Sequence, residues 1–335
     1  MRVLVTGGAG YVGSVSVEAL VAAGHDVSVL DDLSSGHEAA VVAGADLVDG
    51  PYTDATTVAR LLEARDIEVV LHCAARSLVG ESIRDPGPYF VQNVAGGIGL
   101  LEAMRLAGTS RIVCSSSAAV YGVPEATPIT EDEPLSPINP YGETKRSFEA
   151  ALWWYGLAYG FRAVTLRYFN VAGATEMNGE VHDPETHLIP NVLAAVEGRQ
   201  RLTVFGDDYP TPDGTCIRDY IHVADLAEAH VLALEATATG DDRTDPAAGR
   251  GMLVCNLGNG GGFSVREVLA AAERVTRRPV PYDVGPRRAG DAPVLVASAA
   301  RAAETLGWRS ARPSLEEMVG SAWDWRRQHP SGYGE

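Results

Sequence analysis

Met1-Arg-Val-Leu-Val-Thr-Gly-Gly-Ala-Gly-Tyr-Val-Gly13 opens the chain. It reads as a short apolar strand, then glycines at 7, 10 and 13, then the start of a helix. The spacing G-x-x-G-x-x-G lets the backbone turn tightly at the end of a strand. It also lets a pyrophosphate approach the first amides of the helix, where the helix dipole favours an anion. About twenty residues on, a second strand-like run ends in Asp31-Asp32. A carboxylate there suits the hydroxyls of an adenosine ribose and would repel a 2′-phosphate, so NAD is expected over NADP.

The first 170 residues continue this alternation throughout. Strands are expected at 2–6, 26–30, 68–72, 111–115 and 162–167, with helices beginning near Val12, Asp54, Pro86 and Pro140. Strands alternating with helices give a parallel sheet, and right-handed crossovers make it doubly wound, a Rossmann-like α/β fold. After Asn170 the pattern becomes irregular. Residues 171–187 and 206–215 read as Gly-, Pro-, Asp- and Thr-rich loops, and 237–251 as an exposed loop. Strands are expected at 202–205 and 252–256, and helices near 223–235, 264–276 and 314–329. This assigns a cofactor-binding domain to 1–169 plus about 222–256, and a smaller mixed substrate domain to 170–221 and 257–335.

Composition narrows the partners. The 335 residues carry a net charge of −17, against nucleic acid or anionic membrane as the main partner. The chain has no apolar run long enough to span a bilayer, and its N-terminal apolar stretch is too short for a signal peptide. The scattered Cys73, Cys114, Cys216 and Cys255 suggest neither a disulfide framework nor a zinc pattern, with Cys73 and Cys114 expected as buried thiols. A cytoplasmic location is expected.

Two further features carry chemistry. The strand at 111–115 runs into Ser115-Ser116-Ser117-Ala-Ala-Val-Tyr121-Gly, at the sheet edge where ligands of such folds bind. Of the three hydroxyls, Ser117 is expected to meet a substrate hydroxyl, whereas Ser115 and Ser116 fit turn-capping better. In Pro140-Tyr-Gly-Glu-Thr-Lys145, Tyr141 and Lys145 are four residues apart and share one helix face. A phenol beside a fixed ammonium yields its proton more readily than free tyrosine, which makes the pair a candidate general base. Glycine loop, strand-end serine and Tyr-x-x-x-Lys, in that order, resemble the extended short-chain dehydrogenases/reductases. The parts alone imply alcohol–ketone redox.

Longer stretches sharpen the resemblance to the UDP-glucose 4-epimerase family over nearly the whole chain. They are Val79-Gly-Glu-Ser82, Ser115 to Gly122, Leu166-Arg-Tyr-Phe-Asn170 and Phe205-Gly-Asp-Asp-Tyr-Pro210. They continue with Asp213-Gly214, Arg218-Asp-Tyr-Ile-His-Val-Ala-Asp225, Pro286-Arg-Arg-Ala-Gly-Asp291, Trp323-Asp-Trp325 and His329-Pro. The resemblance implies tightly held NAD, oxidation of a UDP-hexose at C4, rotation of the ketosugar, and return of hydride to its other face. It implies cofactor contacts from Gly7, Gly10, Tyr11, Val12, Gly13, Asp31, Asp32, Leu33, Ser34, Ser35, Gly36, Cys73, Ala74, Ala75, Ser77, Gln92, Tyr141, Lys145 and Phe169. Substrate contacts follow from Ser117, Tyr141, Asn170, His187, Leu188, Thr203, Val204, Phe205, Arg218, Arg287, Arg288, Asp291 and Leu295. Among these, Arg218 and one of Arg287 and Arg288 would meet the diphosphate, Asp291 a ribose hydroxyl, and 203–205 the uracil. The resemblance implies no metal, and a homodimer paired through 93–104 and 141–159.

Some positions depart from the family pattern: Val15 for a histidine, Pro51 for an adenine-binding aspartate, Ser77 for a lysine and Gln92 for an asparagine. These bear on cofactor affinity. Leu295 stands where family members vary between bulky and small, which leans toward glucose and galactose over N-acetylated sugars. An N-acetyl-sugar or uronate epimerase and a decarboxylase remain alternatives. A dehydratase would show carboxylates at the strand end, where this chain has Ser116-Ser117-Ala118. From another class, a non-catalytic NAD-binding regulator would lack the tyrosine.

Overall fold

In a computed structural model, residues 1–238, 240–249, 251–288 and 291–334 are described. Six strands, β1 (Arg2–Thr6), β2 (Asp26–Asp31), β3 (Ala45–Asp49), β4 (Val69–His72), β5 (Arg111–Ser117) and β6 (Arg162–Tyr168), join Met252–Leu257 in one seven-stranded sheet. Its order is Met252–Leu257, β6, β5, β4, β1, β2, β3, and every pairing is parallel. The inner strands are apolar on both faces because helices cover both; Val3, Leu4 and Val5 are fully buried. One apolar cluster lies on each face of the sheet, with Val5, Val29, Leu71 and Val164 in one and Leu4, Leu30, Val70 and Ile112 in the other.

The doubly wound expectation holds, and the order reverses between β1 and β4, which opens a crevice at their carboxyl ends. The helix α1 (Tyr11–Ala22) leaves β1 there, and Val15 is buried against Val223 and Ala227. A histidine is thus replaced by a packing residue. The helix α2 (Ala55–Ala64) begins after Asp54, whose carboxylate caps the Thr56 and Thr57 amides.

Several expectations are corrected. Strand β3 forms where no strand is expected. The helix expected from Pro86 is instead a set of pieces: a turn at Gly87–Tyr89, a π-helical stretch at Phe90–Gly96 and a regular helix at Gly97–Ala107. Residues 171–187 begin with a strand, Asn170–Ala172, which pairs in parallel with Tyr220–His222. In the expected exposed loop 237–251, Thr237 and Thr244 are fully buried and two short 3-10 turns form; Thr239 and Arg250 lie outside the described residues.

A second apolar core sits beyond the carboxyl edge of the sheet. It is built by the helices Leu188–Val196, Val265–Thr276 and Leu315–Gln328 with the strand Leu202–Phe205. Three small sheets connect this region, including the three-stranded arrangement of Phe263–Ser264, Ile217–Arg218 and Val294–Leu295.

Candidate active site

At the end of β1 the glycines are required by contact. Gly7 has φ +73°, and a Cβ there would lie 2.5 Å from the backbone nitrogen of Ala74. A Cβ on Gly13 would run into the Gly7 carbonyl. At Gly10 the position is open: only the Gly7 oxygen lies nearby, at 3.6 Å, so a side chain would project into the groove. Helix α1 has no side-chain cap, and the first-turn amides of a helix have no partner within it. Together these leave a cradle for an anionic group.

The carboxylate of Asp31 accepts hydrogen bonds from the Ala9 and Leu33 amides at 2.9 and 3.0 Å, tying the glycine loop to the end of β2. Burial raises its pKa. Asp32 is exposed and accepts from the Ser34 amide and hydroxyl. Leu33 takes a left-handed φ of 54°, Ser35 is exposed, and Gly36 packs on Ala9. Across the crevice, the amides of Cys73 and Ala74 both donate to the Thr6 carbonyl at 3.0 Å, and Ala75 follows them, half-buried. Ser77 is exposed, and the Gln92 carbonyl accepts from the Tyr52 hydroxyl at 2.8 Å. The exposed Pro51 precedes that tyrosine. All four cysteines are free; burial pushes Cys73 up to about 11 and Cys114 up to about 12.

Tyr141 and Lys145 lie in the first turns of Pro140–Tyr159, a helix capped by the Asn139 side chain. Both are buried, and the Lys145 ammonium stands 5.9 Å from the centre of the Tyr141 ring. Lys145 Nζ donates to the Ser115 carbonyl at 2.7 Å, which fixes the helix against the end of β5. The capping expectation is corrected: Ser117, not Ser115 or Ser116, caps the turn, its Oγ accepting from the Ala119 amide at 3.2 Å. Ser115 Oγ contacts Cys73 Sγ and His230 Nε2, and Ser116 Oγ donates to Glu149 at 2.5 Å. The cap uses only an oxygen lone pair of Ser117, which leaves its hydroxyl able to donate. Phe169 is buried beside Tyr121 and Ala297.

Sequence reasoning missed the layer beneath. Arg167 and Glu149 form a buried bidentate ion pair, Arg167 also donates to the Tyr121 hydroxyl at 2.9 Å, and Tyr121 donates to Asn256 at 2.6 Å. Asn93 bonds the Arg76 backbone and the Thr144 hydroxyl, joining the β4 loop to the Tyr141 helix. One signal existed: Glu149 falls four residues after Lys145 on the same helix face.

A second group of candidates lines the far side. Arg218 pairs with Asp291 at 2.6 Å rather than with its neighbour Asp219, whose buried carboxylate accepts from the Ala297, Asn259 and Gly260 amides. Leu295 stands opposite Arg218 in the strand register, and the exposed Asn170 donates to the Asp219 carbonyl. The Arg288 guanidinium lies 4.0 Å over the Phe205 ring and has no ion pair among the described residues. Arg287 instead covers Tyr209 and pairs with Asp208. On the strand Leu202–Phe205, Thr203 is exposed and Val204 buried. Leu188 opens the next helix, and the exposed His187 is held by Glu180 and Glu185.

Such a fold, with a glycine cradle and a buried Tyr–Lys pair at its switch point, defines a nucleotide-cofactor enzyme acting on an alcohol. The chain belongs to the NAD dependent epimerase/dehydratase family, whose model matches residues 3–247. It is 51% identical over 336 residues to a UDP-glucose 4-epimerase of Streptomyces lividans, covering 100% of this chain and 98% of that one. A UDP-glucose 4-epimerase of Brucella ovis, crystallised with NAD, superposes with a TM-score of 0.91 at 47% identity, covering 96% of this chain and 97% of that one. One from Bifidobacterium longum, in complex with NAD+ and UDP, gives 0.91 at 35% identity, covering 99% and 100%.

Proposed function

We propose that this protein interconverts UDP-glucose and UDP-galactose by inverting C4 of the hexose, with NAD as a resident cofactor. The single observation that carries the reading is the buried Tyr141–Lys145 pair, locked to β5 beside a glycine cradle suited to a pyrophosphate. The names of its relatives support the same activity.

The cradle fits NAD. The Tyr11 to Gly13 amides would take its pyrophosphate, and the Asp31 and Asp32 carboxylates would take its adenosine ribose. The chemistry supplied by bound NAD is acceptance and return of the C4 hydride. Tyr141 takes the proton of the C4 hydroxyl and later gives it back. Lys145 stabilises the resulting negative charge, and the Ser117 hydroxyl steadies the oxygen at C4. The layer of Glu149, Arg167 and Tyr121 holds the end of β5 in register.

Arg288, Arg218 and Asn170 meet the UDP, Arg288 having no ion pair among the described residues; the arginine fork suits a diphosphate. Asp291 exchanges Arg218 for a ribose hydroxyl. With binding energy drawn mainly from the nucleotide, the sugar is free to turn. The cofactor domain comprises 1–169 and about 222–256, the substrate domain 170–221 and 257–335. The enzyme works as a cytoplasmic homodimer. An apolar stripe of Val91, Leu106, Trp154 and Leu157, exposed on the Gly97–Ala107 and Pro140–Tyr159 helices and just before them, supports the pairing. No described helix is long and apolar enough to cross a membrane.

Purified protein mixed with UDP-galactose, without added NAD, tests the activity. Proton NMR should show the anomeric signal of UDP-glucose growing to a fixed ratio. No conversion by protein that retains NAD and binds UDP would reject it.

A further inference from the structure

The segment Glu180-Val-His182-Asp-Pro-Glu185-Thr-His187 closes on itself just before the helix Leu188–Val196. Two imidazoles and two carboxylates bring one ligand atom each to within 4.8 Å of all the others. The Nδ1 of His182 lies 3.3 Å from Glu180 and 3.6 Å from Glu185; the Nδ1 of His187 lies 2.9 Å from Glu180 and 3.0 Å from Glu185. Four donors about 2.0–2.2 Å from a tetrahedral zinc ion are separated by about 3.3–3.6 Å, and these contacts lie at or a little inside that edge.

Three features fit a ligand set better than a plain ionic knot. His182 Nδ1 is shut off from solvent and, despite the two nearby carboxylates, makes no well-directed hydrogen bond. Both histidines present the same nitrogen, and their rings are tilted at 50° with centroids 5.1 Å apart, so the two lone pairs converge without the rings stacking. The Glu185 carboxylate is held in place through its Oε1, which accepts from the Thr186 and His187 amides, both at 2.8 Å, while its Oε2 faces His182 at 3.6 Å. A metal displaces the imidazole protons on binding, so the bound ligand set sums to −2, which a divalent cation neutralises.

We propose that Glu180, His182, Glu185 and His187 bind one divalent transition-metal ion of zinc type, a structural clasp on the 173–187 segment. His182 meets the Tyr11 ring edge-on at 6.4 Å, and the Tyr11 hydroxyl donates to the Gly173 carbonyl at 2.6 Å. The clasp therefore joins the glycine loop to the start of the helix Leu188–Val196. It takes no part in proton or hydride transfer, and it does not depend on the activity proposed above. It also gives His187 a role other than substrate contact.

The test uses the untagged full-length protein with its bound nucleotide, equilibrated with zinc and desalted. Elemental analysis should find about one zinc per chain, as expected of a closed four-ligand site. His182→Gln and Glu185→Gln should each lower this at least about tenfold. Melting temperature should fall on chelation in the wild type and stay unchanged on chelation in the variants. If a variant does not fold, titration of wild-type protein with Co2+ decides: intense visible bands of four-coordinate cobalt, bleached by zinc, are expected. Zinc well below one per chain, zinc retained by both variants, or a six-coordinate cobalt spectrum would overturn the clasp.

Discussion

Tyr141 owes its place to neighbours that hold its helix rather than to contacts of its own hydroxyl. Asn139 caps the helix, Lys145 is anchored on the Ser115 carbonyl, and Thr144 is tied to Asn93. A Tyr141→Phe change keeps these contacts and removes one oxygen. Turnover should fall about 10²- to 10⁴-fold, the usual worth of a positioned acid–base group. UDP affinity by calorimetry should change little, and turnover within threefold of wild type would remove the assigned role. At this scale the sequence was partly legible. Residues whose chemistry depends on type and spacing, such as Tyr141 and Lys145, could be named. Partner choice could not: Arg218 reaches Asp291, 73 positions away, over its adjacent Asp219, because Asp219 is consumed by three backbone amides. Nor could the use of Ser117 as a cap, which follows from the turn geometry after β5.

Strands β5 and β6 and the Tyr141 helix meet at the Arg167–Glu149 pair, both side chains almost fully buried. Removing one charge strands the other in a low-dielectric site, at a cost of about 3–5 kcal/mol. Glu149→Gln should therefore lower unfolding free energy by roughly that amount in urea. A loss below about 1 kcal/mol would show that water or Tyr121 already compensates Arg167. The junction of α1 with the sheet holds another buried group, His230, between the Ser16 and Ser115 hydroxyls. Burial pushes its pKa down to about 3, so the folded protein keeps it neutral while the unfolded chain protonates near 6.5. The unfolded state then binds the extra proton as pH falls from 6.5 toward 3, and stability declines across that window. Comparing wild type with His230→Gln between pH 6 and 4.5 should show the variant's decline shallower by about 1.4 kcal/mol per pH unit. Parallel curves would mean that His230 protonates in the folded state. Elements with a strong period or a complete apolar run were readable, as with β1, β2, β4, β5 and β6. Strand β3 was not, since Ala45–Asp49 is an edge strand with mixed exposure and two aspartates. The π-helical stretch Phe90–Gly96 was also hidden, because its extra residue per turn leaves no compositional mark.

For the molecule as a whole, the parallel sheet fixes where the candidate cofactor-side groups stand. The glycine loop, Cys73 to Ala75, Ser117 and Phe169 all leave the carboxyl ends of adjoining strands. That arrangement was legible from the order of motifs. The apolar core of the carboxyl-terminal region was not, since it forms from helices and short strands far apart in sequence. The exposed stripe around Trp154, itself 65% exposed, is the feature that most calls for a second copy of the chain. On the proposed pairing, Trp154→Glu should shift sedimentation from dimer to monomer at micromolar concentration; a wild type that sediments as a monomer, or an unchanged dimer, would contradict that pairing. The account as a whole rests on one hydrogen that leaves C4 of the sugar and returns to the opposite face without entering water. UDP-galactose deuterated at C4, turned over to equilibrium in ordinary water without added NAD, tests this directly. UDP-glucose should form with deuterium fully retained at C4; replacement of that deuterium by solvent hydrogen would rule out direct return of the hydride.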